Sequence, residues 1–172
     1  AAEKSNLPKF YLNLKTYRKS LLNNSNPYTP AVNLVFALDE ALRMMREEGL
    51  DNIFLRHNKH KLAMSNAAKA LNLKLFADEK CLSPAITAIR TEGIDAEEFR
   101  KTIKNKFDIL LAGGQDHLKG EIFRVGHLGY INDRDIITVI SAISNTLLDL
   151  GKITAKEAGE ALTVASEYLQ VN

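Results

Sequence analysis

The feature that most constrains this fold is the order of two kinds of segment along the chain. Short apolar segments alternate with longer ones whose apolar residues recur at the spacing of a helix. Residues 73–77, 84–91, 108–114 and 120–129 are short and rich in apolar residues, which predicts four strands. Longer segments around them repeat apolar residues every three or four positions, which predicts helices. Strands interleaved with helices indicate a sheet with helices packed on it, an α/β or α+β layer.

The first thirty residues predict an extended, irregular linker ahead of the packed part. They contain three prolines and the polar stretch NNSNPYTP. Thr29 then predicts an N-cap, with Pro30 at the first helical position, for a helix that we expect to end at Gly49. On this pattern we assign residues 1–30 to a linker and residues 31–172 to one domain.

The remaining helices are predicted by periodicity and by their caps. One helix covers about residues 52–71. Asp95 with Glu98 predicts a capping box, either Asn132 or Asp133 is expected to cap the next helix, and Thr154 with Glu157 is expected to cap the last one. None of the predicted strands is followed by a glycine-rich phosphate loop, so the pattern indicates neither a dinucleotide-binding fold nor a P-loop.

Charge and cysteine content narrow the classes of partner. The formal net charge of +2 is too small to favour nucleic acid or an anionic membrane. The single cysteine, Cys81, has no partner for an internal disulfide, which favours a reducing, cytoplasmic setting. No apolar run is long enough to cross a bilayer. Because the chain opens without Met, we expect it to begin within a longer protein.

Two stretches of the sequence leave alternative interpretations open. His57 and His60 stand three residues apart on a predicted helix and are able to share a metal, but they lie among Arg and Lys, which favours a solvated helix face. The stretch LAGGQDHLKG, residues 111–120, has backbone N–H groups that suit an anion. A flexible hairpin between two strands is the favoured interpretation of that stretch.

Arg124 raises a sharper question, because it places a permanent cation in a glycine-bracketed strand, GEIFRVGHLG. One interpretation is an outward-facing residue whose stem covers apolar surface. The other is a binding residue, because the guanidinium fork matches a carboxylate with two parallel charge-assisted hydrogen bonds. Apolar or small neighbours and the nearby glycine pair favour the second interpretation.

These residues carry a family resemblance. The stretches FDILLAGGQDHLKGEIFRVGHLG and PYTPAVNLVFALDEALRMMREEGLDNIFLRH resemble the C-terminal part of class V pyridoxal-phosphate aminotransferases. The group most similar is the alanine– and serine–glyoxylate (serine–pyruvate) aminotransferases, particularly the cyanobacterial members. LPKFYLNLKTYRK and SPAITAIRTEGID share the likeness, which continues to about residue 150. It implies an α+β sandwich, in which helices pack on a small, mostly antiparallel sheet of about four strands, the C-terminal domain of a fold-type I enzyme.

The resemblance also implies an activity and site residues. The full-length homodimer is expected to move an amino group from serine or alanine to glyoxylate or pyruvate with pyridoxal 5'-phosphate. By resemblance, Arg124 holds the substrate α-carboxylate, and Thr29 reaches the cofactor phosphate of the neighbouring subunit. Asn26 stands where many members have Tyr, and Tyr28 is the substitute we assign to that contact. Gly113, Gly114 and Gln115 match a loop near the site, without an assigned role.

The same resemblance places the Schiff-base lysine in the N-terminal domain, outside this chain. We therefore expect the chain alone to be inactive and to bind no cofactor covalently. The alternative is a stand-alone small-molecule-binding or regulatory α/β module. An RNA-binding sheet is disfavoured because the fourth strand offers only Phe123 for stacking. Some cyanobacterial relatives carry the name of a soluble hydrogenase subunit, but Cys81 alone is too few thiolates for that chemistry.

Overall fold

The computed structural model describes residues 4–170, and the chain divides into a first unit that ends at Glu48 and a second that begins at Gly49. The first unit contains helices α1 (Leu14–Leu22) and α2 (Val32–Glu48), neither of which has a buried residue. The prediction that residues 1–30 are extended is wrong for α1. That helix begins where the Asn13 side chain accepts a hydrogen bond from the Lys15 amide at 3.2 Å.

The start of α2 also differs from the prediction. The Ala31 carbonyl accepts the first helical hydrogen bond, from the Val35 amide at 3.1 Å. Ala31 is therefore at the cap position, and Thr29 and Pro30 lie ahead of the helix. The prediction of Thr29 as N-cap is wrong, which leaves its hydroxyl outside the helix end.

The second unit contains the predicted four strands as one antiparallel sheet of order β1-β2-β4-β3. The strands are β1 (Lys74–Leu75), β2 (Ile86–Arg90), β3 (Ala112–Gly113) and β4 (Ile122–Gly126). The helices are α3 (Leu50–Ala70), α4 (Ala96–Phe107), α5 (Asp133–Asp149) and α6 (Ala155–Leu169), with 3-10 turns at Glu79–Cys81 and Asp116–Leu118. The predicted α/β class with a small antiparallel sheet is confirmed.

The predicted N-caps Asp95 and Thr154 are confirmed, and of the two candidates for α5 the cap is Asn132. Asp95 accepts from the amides of Glu97 and Glu98, while Asn132 and Thr154 form reciprocal capping boxes. Each cap satisfies helix amides that have no partner inside the helix.

The core lies between one face of the sheet and the helices. Ile89, Phe123 and Val125 point to this face from the two central strands, and the rings of Phe123 and Phe99 are 5.2 Å apart. Helices α3 and α6 pack through small buried residues such as Ala67 and Ala165, which allow close approach. Because successive strand residues alternate in direction, residue 124 of β4 points to the opposite face of the sheet.

Among residues 4–170, no helix combines the length and the apolar character that a membrane crossing requires.

Candidate functional site

Arg124 lies in β4, the strand between β2 and β3, on the face of the sheet that is not packed on the core helices. Its cross-strand partners are Ala88 on β2 and Ala112 on β3. Side chains opposite each other in a sheet are neighbours, so two methyl groups flank the arginine stem. Arg124 is half-buried.

The orientation of the guanidinium is set by one backbone acceptor. Arg124 Nε donates to the Gly113 carbonyl at 2.9 Å. Within the described chain, its Nη1 and Nη2 atoms have no hydrogen-bond or ion-pair partner. The edge that carries these two atoms is thus available for a planar, bidentate acceptor such as a carboxylate.

The glycine pair beside Arg124 is required by close packing. A Cβ on Gly114 would lie 1.9 Å from the Leu118 carbonyl oxygen, which no side chain tolerates without backbone movement. The Gly114 amide donates to the Ile122 carbonyl at 3.1 Å, so it is used within the hairpin. The predicted hairpin between β3 and β4 is confirmed, and this amide is not free for the anion considered as the alternative.

Tyr28 and Thr29 lie together in the first unit, on an open concavity of about 860 Å³. Its lining is Tyr11, Ser25, Asn26, Pro27, Tyr28, Thr29 and Pro30. The Tyr28 hydroxyl donates to the Phe10 carbonyl at 2.9 Å, and its ring stacks on Tyr11 with centroids 4.7 Å apart. Thr29 is exposed, and in the described residues its hydroxyl has no partner. Thr29 is therefore the freer donor of the two.

The histidines of α3 are not a solvated pair. His60 is fully buried, with Nε2 2.9 Å from Asp133 Oδ1, so the prediction of a solvated face is wrong for this residue. Lys59 Nζ lies 3.0 Å from the other oxygen of the same carboxylate. Burial lowers the pKa of His60, and Asp133 opposes that shift. The described residues contain no group of three His, Cys, Asp or Glu placed to hold a metal ion.

His57 has a structural role at the loop after β4. Its Nδ1–H donates to the Ile53 carbonyl at 2.7 Å, which leaves Nε2 to accept from the Gly129 amide at 3.2 Å. Arg56 Nη1 donates to the carbonyls of Gly129 and Ile131 at 2.9 and 3.0 Å. One turn of α3 thus holds the loop that connects β4 to α5.

His127 was not identified from the sequence. It is fully buried, with Nδ1 3.1 Å from the Pro84 carbonyl and Nε2 2.8 Å from Thr87 Oγ1. Burial lowers its pKa to about 4, so the ring is neutral at pH 7. The alternation Phe123, Val125, His127, which continues one residue past the end of β4, is the signal that places it on the core side.

No family model matches the chain. Individual relatives do, over nearly its whole length. The small subunit of a soluble hydrogenase from Synechococcus sp. is 51% identical over 98% of this chain and 44% of that protein. A serine–glyoxylate aminotransferase from Methylorubrum extorquens is 32% identical over 96% of the chain and 41% of that protein. The chain thus spans less than half the length of these relatives.

A solved structure shows the same fold. The crystal structure of ureidoglycine–glyoxylate aminotransferase from Bacillus subtilis superposes with a TM-score of 0.85 at 30% identity, over 96% of this chain and 44% of that protein. The resemblance stated from the sequence is confirmed by these similarities.

Proposed function

We propose a function from the premise that this chain belongs to the class V aminotransferases and corresponds to their C-terminal part. The full-length protein transfers an amino group from serine or alanine to glyoxylate or pyruvate with pyridoxal 5'-phosphate, as a cytoplasmic homodimer. The observation that carries the proposal is the guanidinium of Arg124, which is fixed at Nε and open at the other two nitrogens. The names of the relatives support the choice of glyoxylate as acceptor.

Arg124 binds the one group that every substrate of this reaction shares. Amino acids and oxo acids differ at Cα but both end in a carboxylate. Two parallel hydrogen bonds from Nη1 and Nη2 fix the plane of that carboxylate and thereby the direction of the bonds at Cα. Correct placement of a reacting bond is a large part of catalysis, so the arginine contributes to rate as well as to affinity.

The chain also supplies part of a cofactor site. Pyridoxal phosphate provides an electron sink for the carbanion at Cα. Ser25, Asn26 and Thr29 place hydroxyl and amide groups at one concavity, and such donors suit a phosphate. Thr29 would donate to the phosphate of the neighbouring subunit. Tyr28 would join it only by releasing the Phe10 carbonyl, because its hydroxyl has a single proton.

The hydrogenase name of the Synechococcus relative does not enter the proposal. Chemistry on nickel–iron or iron–sulfur centres needs several thiolate ligands. Cys81 is the single cysteine of this chain and is exposed.

An assay of the full-length protein tests the proposed activity. Nitrogen-15 serine is supplied with glyoxylate or pyruvate, and nitrogen-15 alanine with glyoxylate, and the new amino acid is followed by mass spectrometry. Transfer of the label to glycine, or from serine to alanine, is expected. Absence of transfer in all three pairings would overturn the proposal.

A second experiment concerns the chain alone. The chain is mixed with pyridoxal phosphate, reduced with borohydride and digested, and each lysine is examined for a pyridoxyl group. We expect only scattered, substoichiometric modification. Stoichiometric fixing at one lysine would show that the chain has its own cofactor lysine and would favour the stand-alone small-molecule-binding module.

A further inference from the structure

Gly113 lies between two arginines of the second unit. Its carbonyl accepts from Arg124 Nε at 2.9 Å. The ion pair of Arg100 and Glu97 lies against Gly113 on the side where a β-carbon would be. A Cβ there would lie 2.5 Å from Arg100 Nη1 and 2.6 Å from Glu97 Oε1. The absence of a side chain allows the ion pair to rest directly against the backbone that orients Arg124.

Arg100 also holds this backbone by a hydrogen bond. Its Nε donates to the Leu111 carbonyl at 2.8 Å, and its Nη1 donates to Glu97 Oε1 at 2.8 Å. The Arg100 side chain is 22% exposed, so these contacts are partly shielded from water. Arg100 and Glu97 are both on α4, which fixes one end of the arrangement on a rigid element.

The strand between the two arginines has little support of its own. β3 is only two residues long, lies at the edge of the sheet and pairs with β4 alone. The position of the Gly113 carbonyl therefore depends on contacts from outside the sheet. On the α4 side, the Arg100–Glu97 pair provides them at Leu111 and at Gly113.

From this geometry we infer that Arg100, held by Glu97, is a positioning residue for Arg124. The inference rests on the proposed function of Arg124 as the carboxylate-binding residue. Removal of the Arg100 guanidinium leaves the Leu111 carbonyl without this donor and takes away the support behind Gly113. The Gly113 carbonyl then shifts, and Arg124 loses the hydrogen bond that selects its rotamer. A bidentate carboxylate contact is sensitive to such a change because both of its hydrogen bonds require one plane.

The first test uses NMR of the chain and needs no substrate. The Nε–H signal of Arg124 is followed for hydrogen exchange in the parent and in Arg100→Gln and Glu97→Gln. We expect exchange about tenfold faster in Arg100→Gln, the order of one lost hydrogen bond, and a smaller increase in Glu97→Gln. Lys101→Gln is the matched control, because Lys101 makes an exposed ion pair with Glu98 on the same helix.

Backbone amide signals of α5 and α6 report whether each variant is folded. Unchanged exchange of the Arg124 Nε–H in a folded Arg100→Gln variant would overturn the inference. If Arg100→Gln does not fold, Arg100→Lys replaces it. Lysine keeps the charge but has a single nitrogen, so faster exchange is again expected and unchanged exchange again contradicts the inference.

The second test uses kinetics of the full-length protein. Arg100→Gln is expected to raise KM for the amino acid and for the oxo acid about tenfold, with kcat at saturation changed much less, and Lys101→Gln is expected to alter neither. Arg100→Lys should recover part of the affinity. An unaltered KM in Arg100→Gln would contradict the inference. A failure of the proposed function would be recognised by a different result, namely unchanged kinetics when Arg124 itself is replaced.

Discussion

The imidazole of His127 and the hydroxyl of Thr87 are 2.8 Å apart, and both side chains are buried. The Nδ1–H of the ring donates to the Pro84 carbonyl, so Nε2 is left to accept the hydroxyl proton. These two bonds fasten the end of β4 to the beginning of β2. The strands joined in this way are the two central strands of the sheet, and one of them carries Arg124.

The neutral state of His127 predicts a loss of stability in acid. Its pKa falls from 6.5 to about 4 on folding, so the unfolded chain binds the extra proton first as pH decreases. The contribution of the neutral ring to the free energy of unfolding is fully present above about pH 6.5. It declines toward pH 4, by about 3 kcal/mol in total for this shift. The lowered pKa of His60 acts in the same direction. Urea unfolding at a series of pH values measures the decline.

A pair of histidine variants separates this contribution from that of the carboxylates. His127→Gln removes the titration and should flatten the decline between pH 6.5 and 4. His117→Gln is the control, because His117 is exposed, and it should retain the parent slope. A His127→Gln variant that shows the parent slope would contradict the assignment of a buried, neutral ring.

Replacement of Arg124 is expected to weaken substrate use strongly in the full-length protein. Arg124→Ala should lower kcat/KM for serine and for glyoxylate by about 30-fold to several thousand-fold, which corresponds to about 2–5 kcal/mol. Arg124→Lys should lie between the parent and the alanine variant, because an ammonium does not form two parallel bonds. Steady-state kinetics with both substrates provide the measurement.

Arg90 offers the control for that experiment. It is an arginine on β2, and its guanidinium carbon lies 4.9 Å from the centre of the Phe76 ring. Arg90→Ala removes the same type of side chain and should leave kcat/KM within about a factor of two to three of the parent. Equal losses in Arg90→Ala and Arg124→Ala would indicate a general electrostatic effect and would remove Arg124 from its specific role.

The strands and the caps were predictable because their signals are local. Arg124 stood out for the same reason, as a charge in an alternating, glycine-bracketed strand. The prediction of a solvated face is wrong for His60 because its neighbours in sequence are charged, while its carboxylate partner Asp133 is 73 residues away. Helix α1 was missed because it has no buried residue and hence no apolar face directed at a core. Contacts between residues that are distant in sequence produce no periodic pattern from which they could be predicted.

Two glycines are expected to respond to alanine with opposite signs. Gly114→Ala places a methyl group 1.9 Å from the Leu118 carbonyl oxygen and should destabilise the protein by about 1–3 kcal/mol through backbone displacement. Gly159 lies in α6 with nothing within 4 Å of its missing Cβ, so Gly159→Ala should stabilise by about 0.5–1 kcal/mol. Urea unfolding of both variants measures the two changes in the free energy of unfolding. A neutral Gly114→Ala would show that the turn adjusts more freely than its packing indicates.

Thr29 and Tyr28 are expected to contribute unequally to cofactor retention in the full-length protein. The Thr29 hydroxyl is exposed and free of partners in the described residues, whereas the Tyr28 proton already bonds to the Phe10 carbonyl. Thr29→Val keeps the shape but removes the donor, and should weaken pyridoxal phosphate binding about tenfold, as expected for one hydrogen bond to a charged group. Tyr28→Phe should change the dissociation constant by less than about threefold, since its ring stacking on Tyr11 persists. Equilibrium dialysis measures both constants, and a larger loss in Tyr28→Phe than in Thr29→Val would reverse the assignment.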